Sequence, residues 1–230
     1  MTNGNRIIVA LDFDDCGAAE ALVARLGDAC GHYKVGLELL TSAGPGLVRE
    51  LTGRGHEVFL DLKLFEIPDS VAGAVRAAGA LGVSMVTVHA MGGTGILTAA
   101  VEAAREFPRL RVLALTVVTS MTGSDLADVG IAAASTEEQV LRLARLAVAA
   151  GCDGVIASPR EVGALRAALG PEPLIVTPGV TLPGAAEGGH ARVGTPGAAF
   201  GAGASHIVVG RSVTRAADPV AALGRVRAGS

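Results

Sequence analysis

The sequence predicts an α/β protein built as a closed (β/α)8 TIM barrel, and three observations lead there. Eight short runs of β-branched and apolar residues begin near positions 6, 32, 57, 83, 111, 153, 173 and 205, spaced 20 to 42 residues apart. Ala/Leu/Arg-rich stretches with helical periodicity lie between them. The length, 230 residues, is one at which eight such units close as one domain. An open doubly wound sheet is the rival, but it asks for G-x-G-x-x-G after the first strand. Here Leu11 is followed by Asp-Phe-Asp-Asp-Cys.

Each element follows from its residues. Strand one, Arg-Ile-Ile-Val-Ala-Leu, runs into Asp12, and a helical stretch follows over 18–26. Strand two carries Lys34 between Tyr33 and Val35, ahead of a helix over 45–52. Strand three ends in Asp61 and Lys63, followed by Glu66 and a helix over 70–81. Strand four ends in His89 and strand five in Thr119 and Ser120. The wide interval before strand six leaves room for an extra short helix over 124–133. The next helix puts Val140, Leu141, Ala144 and Val148 on one face with Arg142 and Arg145 off it. Ser135 and Glu138 form a capping-box pattern just upstream. Strand six ends in Ser158 and leads to a helix over 161–169. Strand seven runs into Thr177-Pro178-Gly179, and strand eight into Gly210-Arg211-Ser212, where Ser212 is placed to cap the following helix. Gly82, Gly151 and Gly170 fall where helices should end. With no linker and no shift in composition, residues 1–230 read as a single domain.

Composition narrows the function. A net charge of −3 gives no electrostatic reason to expect nucleic acid or an anionic membrane. No Trp, one Tyr and five Phe are too few for a base-stacking platform. The run 7–11 is too short for a signal peptide or a membrane span. Cys16, Cys30 and Cys152 are odd in number and share no metal-ligand spacing, so they read as reduced thiols of a cytoplasmic protein.

Chemistry collects at the C-terminal strand ends, where a barrel carries its site. Side chains alternate along a strand, so Asp61 and Lys63 face the barrel mouth while Val58, Leu60 and Leu62 face the helices. An Asp-Lys pair alone fits a structural ion pair equally well. With Asp12 and Lys34 on neighbouring strands, four charges converge on one mouth, an arrangement costly to desolvate without a function. Asp12, Asp61, Glu66 and His89 raise the question of a metal, but Lys34 and Lys63 supply competing cations. A single His ending an apolar strand is more often structural than a base. The strand-eight turn offers Gly210 for close backbone approach and Arg211 as a bidentate fork, which suits a phosphate.

These residues resemble the orotidine 5′-phosphate decarboxylase family in its shorter, bacterial-type form. The resemblance runs from Ile7-Ile8-Val9-Ala10-Leu11-Asp12-Phe13 to Asp218-Pro219. It is carried by Lys34-Val35-Gly36, Phe59-Leu60-Asp61-Leu62-Lys63, Ile67-Pro68, Val88-His89-Ala90, Thr119-Ser120, Asp153-Gly154-Val155, Thr177-Pro178-Gly179 and Val208-Val209-Gly210-Arg211-Ser212. It implies a barrel homodimer with shared sites that converts orotidine 5′-phosphate to UMP and CO2 in pyrimidine biosynthesis, without metal or organic cofactor. Lys63 would stabilise and then protonate C6, with Asp61 near the substrate carboxylate. Lys34 would hold the charge cluster and contact the ribose, and Asp12 would bind the ribose. Glu66 would reach into the partner's site, and Ile67 and Ser70 of the same run would line the substrate. Thr119 and the Pro178 backbone would lie around the pyrimidine. Gly210, Arg211, Thr181 and His190 would take the phosphate end.

The chain departs from the family pattern at several of these positions. Glu66 stands where Asp is usual, Phe65 where His is frequent, and Ser70 where Thr is usual. Thr181 stands in place of an Arg and His190 in place of a Gln. An added methylene at Glu66 can misplace a carboxylate by about an ångström. His190 adds positive charge only when protonated, near pH 6.5 for an unperturbed ring. Two enzyme readings therefore follow: a divergent decarboxylase, or a paralogue acting on a different nucleotide or sugar phosphate. The Mg2+-using sugar-phosphate members that share Asp-x-Lys-x-x-Asp fit less well, because Ile67-Pro68 and Thr177-Pro178-Gly179 point to the orotidine branch. A nucleotide-binding regulator would predict loss of the charge tetrad Lys34, Asp61, Lys63 and Glu66, and three of its four members stand unchanged, Glu66 being the exception.

Overall fold

Eight parallel strands close into a barrel in sequence order, with β1 hydrogen-bonded to both β2 and β8. They are β1 (Ile7–Ala10), β2 (His32–Gly36), β3 (Glu57–Leu64), β4 (Met85–His89), β5 (Arg111–Leu115), β6 (Gly154–Ile156), β7 (Leu174–Thr177) and β8 (His206–Val209). The computed structural model describes residues 6–132, 135–182 and 193–230. All eight strands lie where the apolar runs put them. Around them lie α1 (Cys16–Leu26), α2 (Leu37–Ala43), α3 (Pro45–Gly53), α4 (Pro68–Ala80), α5 (Gly93–Ala104), α6 (Gly123–Asp128), α7 (Thr136–Ala149), α8 (Val162–Leu169), α9 (Pro196–Gly201), α10 (Arg211–Thr214) and α11 (Pro219–Ala228).

Alternation along the strands divides the core in two. Ile8, Ala10, Phe59, Met85, Leu113 and Ile156 are among the side chains that fill the barrel interior. Ile7, Val9, Tyr33, Val58, Leu60 and Val86 face outward into the layer between strands and helices. Many of the packed residues are Val, Ala and Leu, whose modest volumes fill a barrel without the aromatics this chain lacks.

Local signals set the helix boundaries. Asp15 caps α1 by accepting from Ala18 N at 2.7 Å, and Ser135 caps α7 by accepting from Glu138 N at 3.1 Å. Thr122 and Asp125 cap α6 reciprocally. That helix is the short one expected in the wide interval, but it ends at Asp128. Gly82, Gly151 and Gly170 each follow a helix at positive φ.

One expected cap is corrected. Ser212 caps nothing: it lies inside α10, whose N-cap is Gly210, and its Oγ is buried without a partner. The strand-eight turn coils at once into this four-residue helix, so Ser212 sits two residues past the cap position. Asp218 caps the next helix by accepting from Ala221 N.

At the N-terminal end of the strands, Arg166 of α8 ties two turns together. Its guanidinium donates to the carbonyls of Gly170, Pro171 and Pro173 ahead of β7. It also donates to the Gly203 carbonyl and Ser205 Oγ ahead of β8.

Candidate active site

The inward positions at the C-terminal strand ends place four charges in a line across β1, β2 and β3. The register pairs Ala10 with Lys34 and Gly36 with Asp61. Lys34 Nζ lies 2.8 Å from Asp12 Oδ1 and 3.9 Å from Asp61 Oδ2. Lys63 Nζ lies 2.8 Å from Asp61 Oδ2. The signs alternate along the line, so each ammonium has a carboxylate neighbour.

Burial is uneven along it. The Lys34 side chain is 11% exposed and that of Asp61 14%, against 34% for Lys63. Lys63 is therefore the ammonium open to a ligand, while Lys34 and Asp61 form the supporting pair behind it. Gly36 gives Lys34 its room: a Cβ there would lie 3.1 Å from Nζ.

Strand three reaches this geometry through an irregularity. Leu60 pairs with Val86, and Leu64 with Val88. Asp61, Leu62 and Lys63 thus stand against Thr87 alone. Among the described residues, Lys63 is the one non-glycine residue held at positive φ, +52°. Thr87, fully buried, accepts from Lys63 N at 2.9 Å and donates to Asp61 Oδ1 at 2.9 Å.

A cavity of about 570 Å³ opens over this line. Nine of the expected site residues line it: Asp12, Lys34, Asp61, Lys63, Thr119, Pro178, Thr181, Gly210 and Arg211. The charged line forms one wall, and the strand-eight turn with Arg211, Ser212 and Arg215 forms another part. Glu38 of α2 and Arg215 after α10 also line it, and the sequence reading passed over both. Arg215 stands four residues after Arg211, a spacing that brings two residues of a helical turn onto one face.

Three expected residues are not brought to this cavity. Glu66, Ile67 and Ser70 are exposed and absent from its lining. Glu66 Oε1 accepts instead from Ile67 N at 2.9 Å. His190 lies outside the described residues.

Two strand-end residues serve local structure. Ser158 is fully buried, its N donating to Glu161 Oε2 and its Oγ accepting from Arg160 N. His89 Nδ1 accepts from Met91 N at 3.3 Å. Burial, with help from the Lys63 ammonium, pushes the His89 ring below its ordinary pKa.

A second concavity is apolar. Phe65 and Val129, both 61% exposed, line it with Met91, Met121, Ile131 and Leu146.

The family model described as orotidine 5′-phosphate decarboxylase / HUMPS family matches residues 5–226. A protein of Anaeromyxobacter sp. (strain K) named orotidine 5′-phosphate decarboxylase is 50% identical over 229 residues, covering all of both chains. One of the same name from Moorella thermoacetica is 50% identical over 231 residues, covering 97% of this chain and 91% of its own. The crystal structure of orotidine 5′-phosphate decarboxylase from Lactobacillus acidophilus superposes with a TM-score of 0.87 at 36% identity, over 98% of each chain.

Proposed function

Because the chain belongs to the orotidine 5′-phosphate decarboxylase / HUMPS family, and so is a decarboxylase, a carbon–carbon lyase, we propose that it converts orotidine 5′-phosphate to UMP and CO2. The observation that carries this reading is the Asp12–Lys34–Asp61–Lys63 line, set in a cavity that also holds Gly210 and Arg211.

The chemistry follows from what that line offers. Breaking the C6–carboxylate bond leaves an electron pair on C6 with no conjugated sink. A fixed ammonium beside the developing charge stabilises it without reorganisation. Lys63 supplies that ammonium and then passes its Nζ proton to C6, giving UMP, and regains a proton from solvent. Asp61 lies beside the departing carboxylate and fixes Lys63. Lys34 holds Asp61 from behind and, with Asp12, takes the ribose hydroxyls. Thr119 and the Pro178 backbone lie around the base. Gly210 and Arg211 take the 5′-phosphate, and binding at that end orients the reacting end. No step in this sequence calls on a metal or an organic cofactor.

The same reading makes the enzyme a cytoplasmic homodimer, each chain one domain over residues 1–230. Among the described residues no helix is long and apolar enough to cross a membrane. The exposed apolar groove beside Phe65 suits a second copy of the chain, and Glu66, next to Phe65 and turned away from its own cavity, is then available to the neighbour's site.

A second reading rests on Thr181, which lines the cavity where an Arg is usual in the family. It makes the chain a paralogue for another nucleotide or sugar phosphate. Purified protein mixed with orotidine 5′-phosphate, followed by loss of substrate absorbance, decides between them. Turnover supports the first reading. No turnover, with thermal stabilisation by another phosphorylated ligand, supports the second.

A further inference from the structure

We propose that Thr87 is a positioning residue for the Asp61–Lys63 pair, acting through its hydroxyl. The inference rests on the reading of Lys63 as proton donor and adds to it the group that aims the donor. Three residues of β3 stand against Thr87, so the ladder gives Lys63 N–H no backbone acceptor on β4 at that point. Thr87 Oγ1 takes that place, accepting from Lys63 N at 2.9 Å.

The direction of the second bond is then fixed. A hydroxyl has one proton, and the Asp61 carboxylate can only accept. Thr87 therefore gives its proton to Asp61 Oδ1, at 2.9 Å. This leaves Oδ2 turned toward Lys63 Nζ at 2.8 Å. One hydroxyl thus holds both the backbone that carries the ammonium and the carboxylate that aims it. Thr87 is fully buried and absent from the cavity lining, so it reaches the substrate only through these two residues.

Thr87→Val keeps the shape and removes the hydroxyl, while Thr87→Ser keeps the hydroxyl. A crystal structure of Thr87→Val should show Asp61 Oδ2 and Lys63 Nζ separated beyond hydrogen-bond distance. Its kcat should fall by about 30- to 100-fold with KM within about twofold, since the change acts on alignment rather than on substrate contacts. Thr87→Ser should restore kcat to within about threefold of the parent. Thr87→Ala, which adds no bulk, takes the same reading if the valine variant does not fold. An Asp61–Lys63 pair kept at its present distance without the hydroxyl overturns the proposal, as does an opened pair with unchanged kcat. If the parent protein does not turn over orotidine 5′-phosphate, the functional reading fails, and the structural arm still decides the role of Thr87.

Discussion

Lys63 Nζ lies 2.8 Å from Asp61 Oδ2, two residues back along the same strand, and the residue that carries it is held at φ +52°. For a residue with a Cβ this conformation costs roughly 1–2 kcal/mol, and it is kept at the position assigned the proton transfer. Strain at such a place is a mark of function when the surroundings enforce it. Lys63→Ala and Lys63→Gly should both lower turnover by on the order of 10³-fold or more. Both lose the same ion pair, but glycine relieves the backbone. Denaturant unfolding should therefore find Lys63→Gly the more stable of the two by about 1 kcal/mol. Equal stability would mean the backbone at Lys63 is unstrained. Near-parental turnover in either variant would remove Lys63 from the mechanism.

Glu66 is exposed and bonded to its own neighbour's N–H, so its contribution should come across a dimer interface. Glu66→Ala and Lys63→Ala proteins should each be inactive alone. Mixing them under conditions of subunit exchange should restore part of the activity, because one site in each mixed dimer has both residues intact. Exchange demonstrated by mass labelling, without recovered activity, would show that the sites are not shared.

The phosphate end should depend on two guanidinium groups, because Arg211 and Arg215 line the same cavity. Calorimetric titration with UMP should find Arg211→Ala weaker by on the order of 10- to 100-fold. Arg215→Ala should be weaker by a smaller factor. Thr181→Arg, which restores the usual family residue at a lining position, should tighten binding. Joined to His190→Gln, it should raise turnover of orotidine 5′-phosphate if the chain is a divergent decarboxylase. No tightening, with a preference for another phosphorylated ligand, would favour the repurposed paralogue. Unchanged UMP affinity in Arg211→Ala would move the phosphate site elsewhere.

His206, at the foot of β8, should make stability pH-dependent. Its ring lies 6.0 Å from that of His32. Burial pushes its pKa down to about 4, His32 and Arg6 push the same way, and Glu57 opposes them. In the unfolded chain the ring titrates near its ordinary value, about 6.5. Between roughly pH 6.5 and 4 the unfolded chain therefore holds a proton that the folded chain refuses. Stability is complete above that window, falls as pH drops through it, and levels off below. The loss is on the order of 3 kcal/mol. Urea unfolding across this range should show the slope, and His206→Gln should flatten it. An unchanged slope in that variant would assign the acid sensitivity to other groups.

The eight strands were legible because each is a β-branched apolar run bounded by polar residues, and the charged line was legible because charge at the end of such a run is rare. Asp12, Lys34, Asp61 and Lys63 each lie at an inward position that alternation alone assigns. What alternation could not give was the partner of Asp61 across the sheet. Thr87 sits inside the apolar run Met85–His89 and looks like an ordinary strand residue. Its role depends on the irregular pairing between Leu60 and Leu64, and no glycine marks the positive φ at Lys63. Arg215 was within reach, since its spacing from Arg211 is helical. Ser212 misled for the opposite reason: it follows a strand end, but the turn there coils at once into a helix that carries it past the cap position and buries its hydroxyl.

The Arg166 guanidinium binds β7 and β8 from the end opposite the cavity, and this bears on how the chain can change over time. The strand pair next to the phosphate end is anchored by groups remote from any ligand. A substitution at Thr181, which lines the cavity just after β7, should then change the site without loosening the two strands. A mutation can be tried at the rim and selected on chemistry alone, since folding does not veto it first.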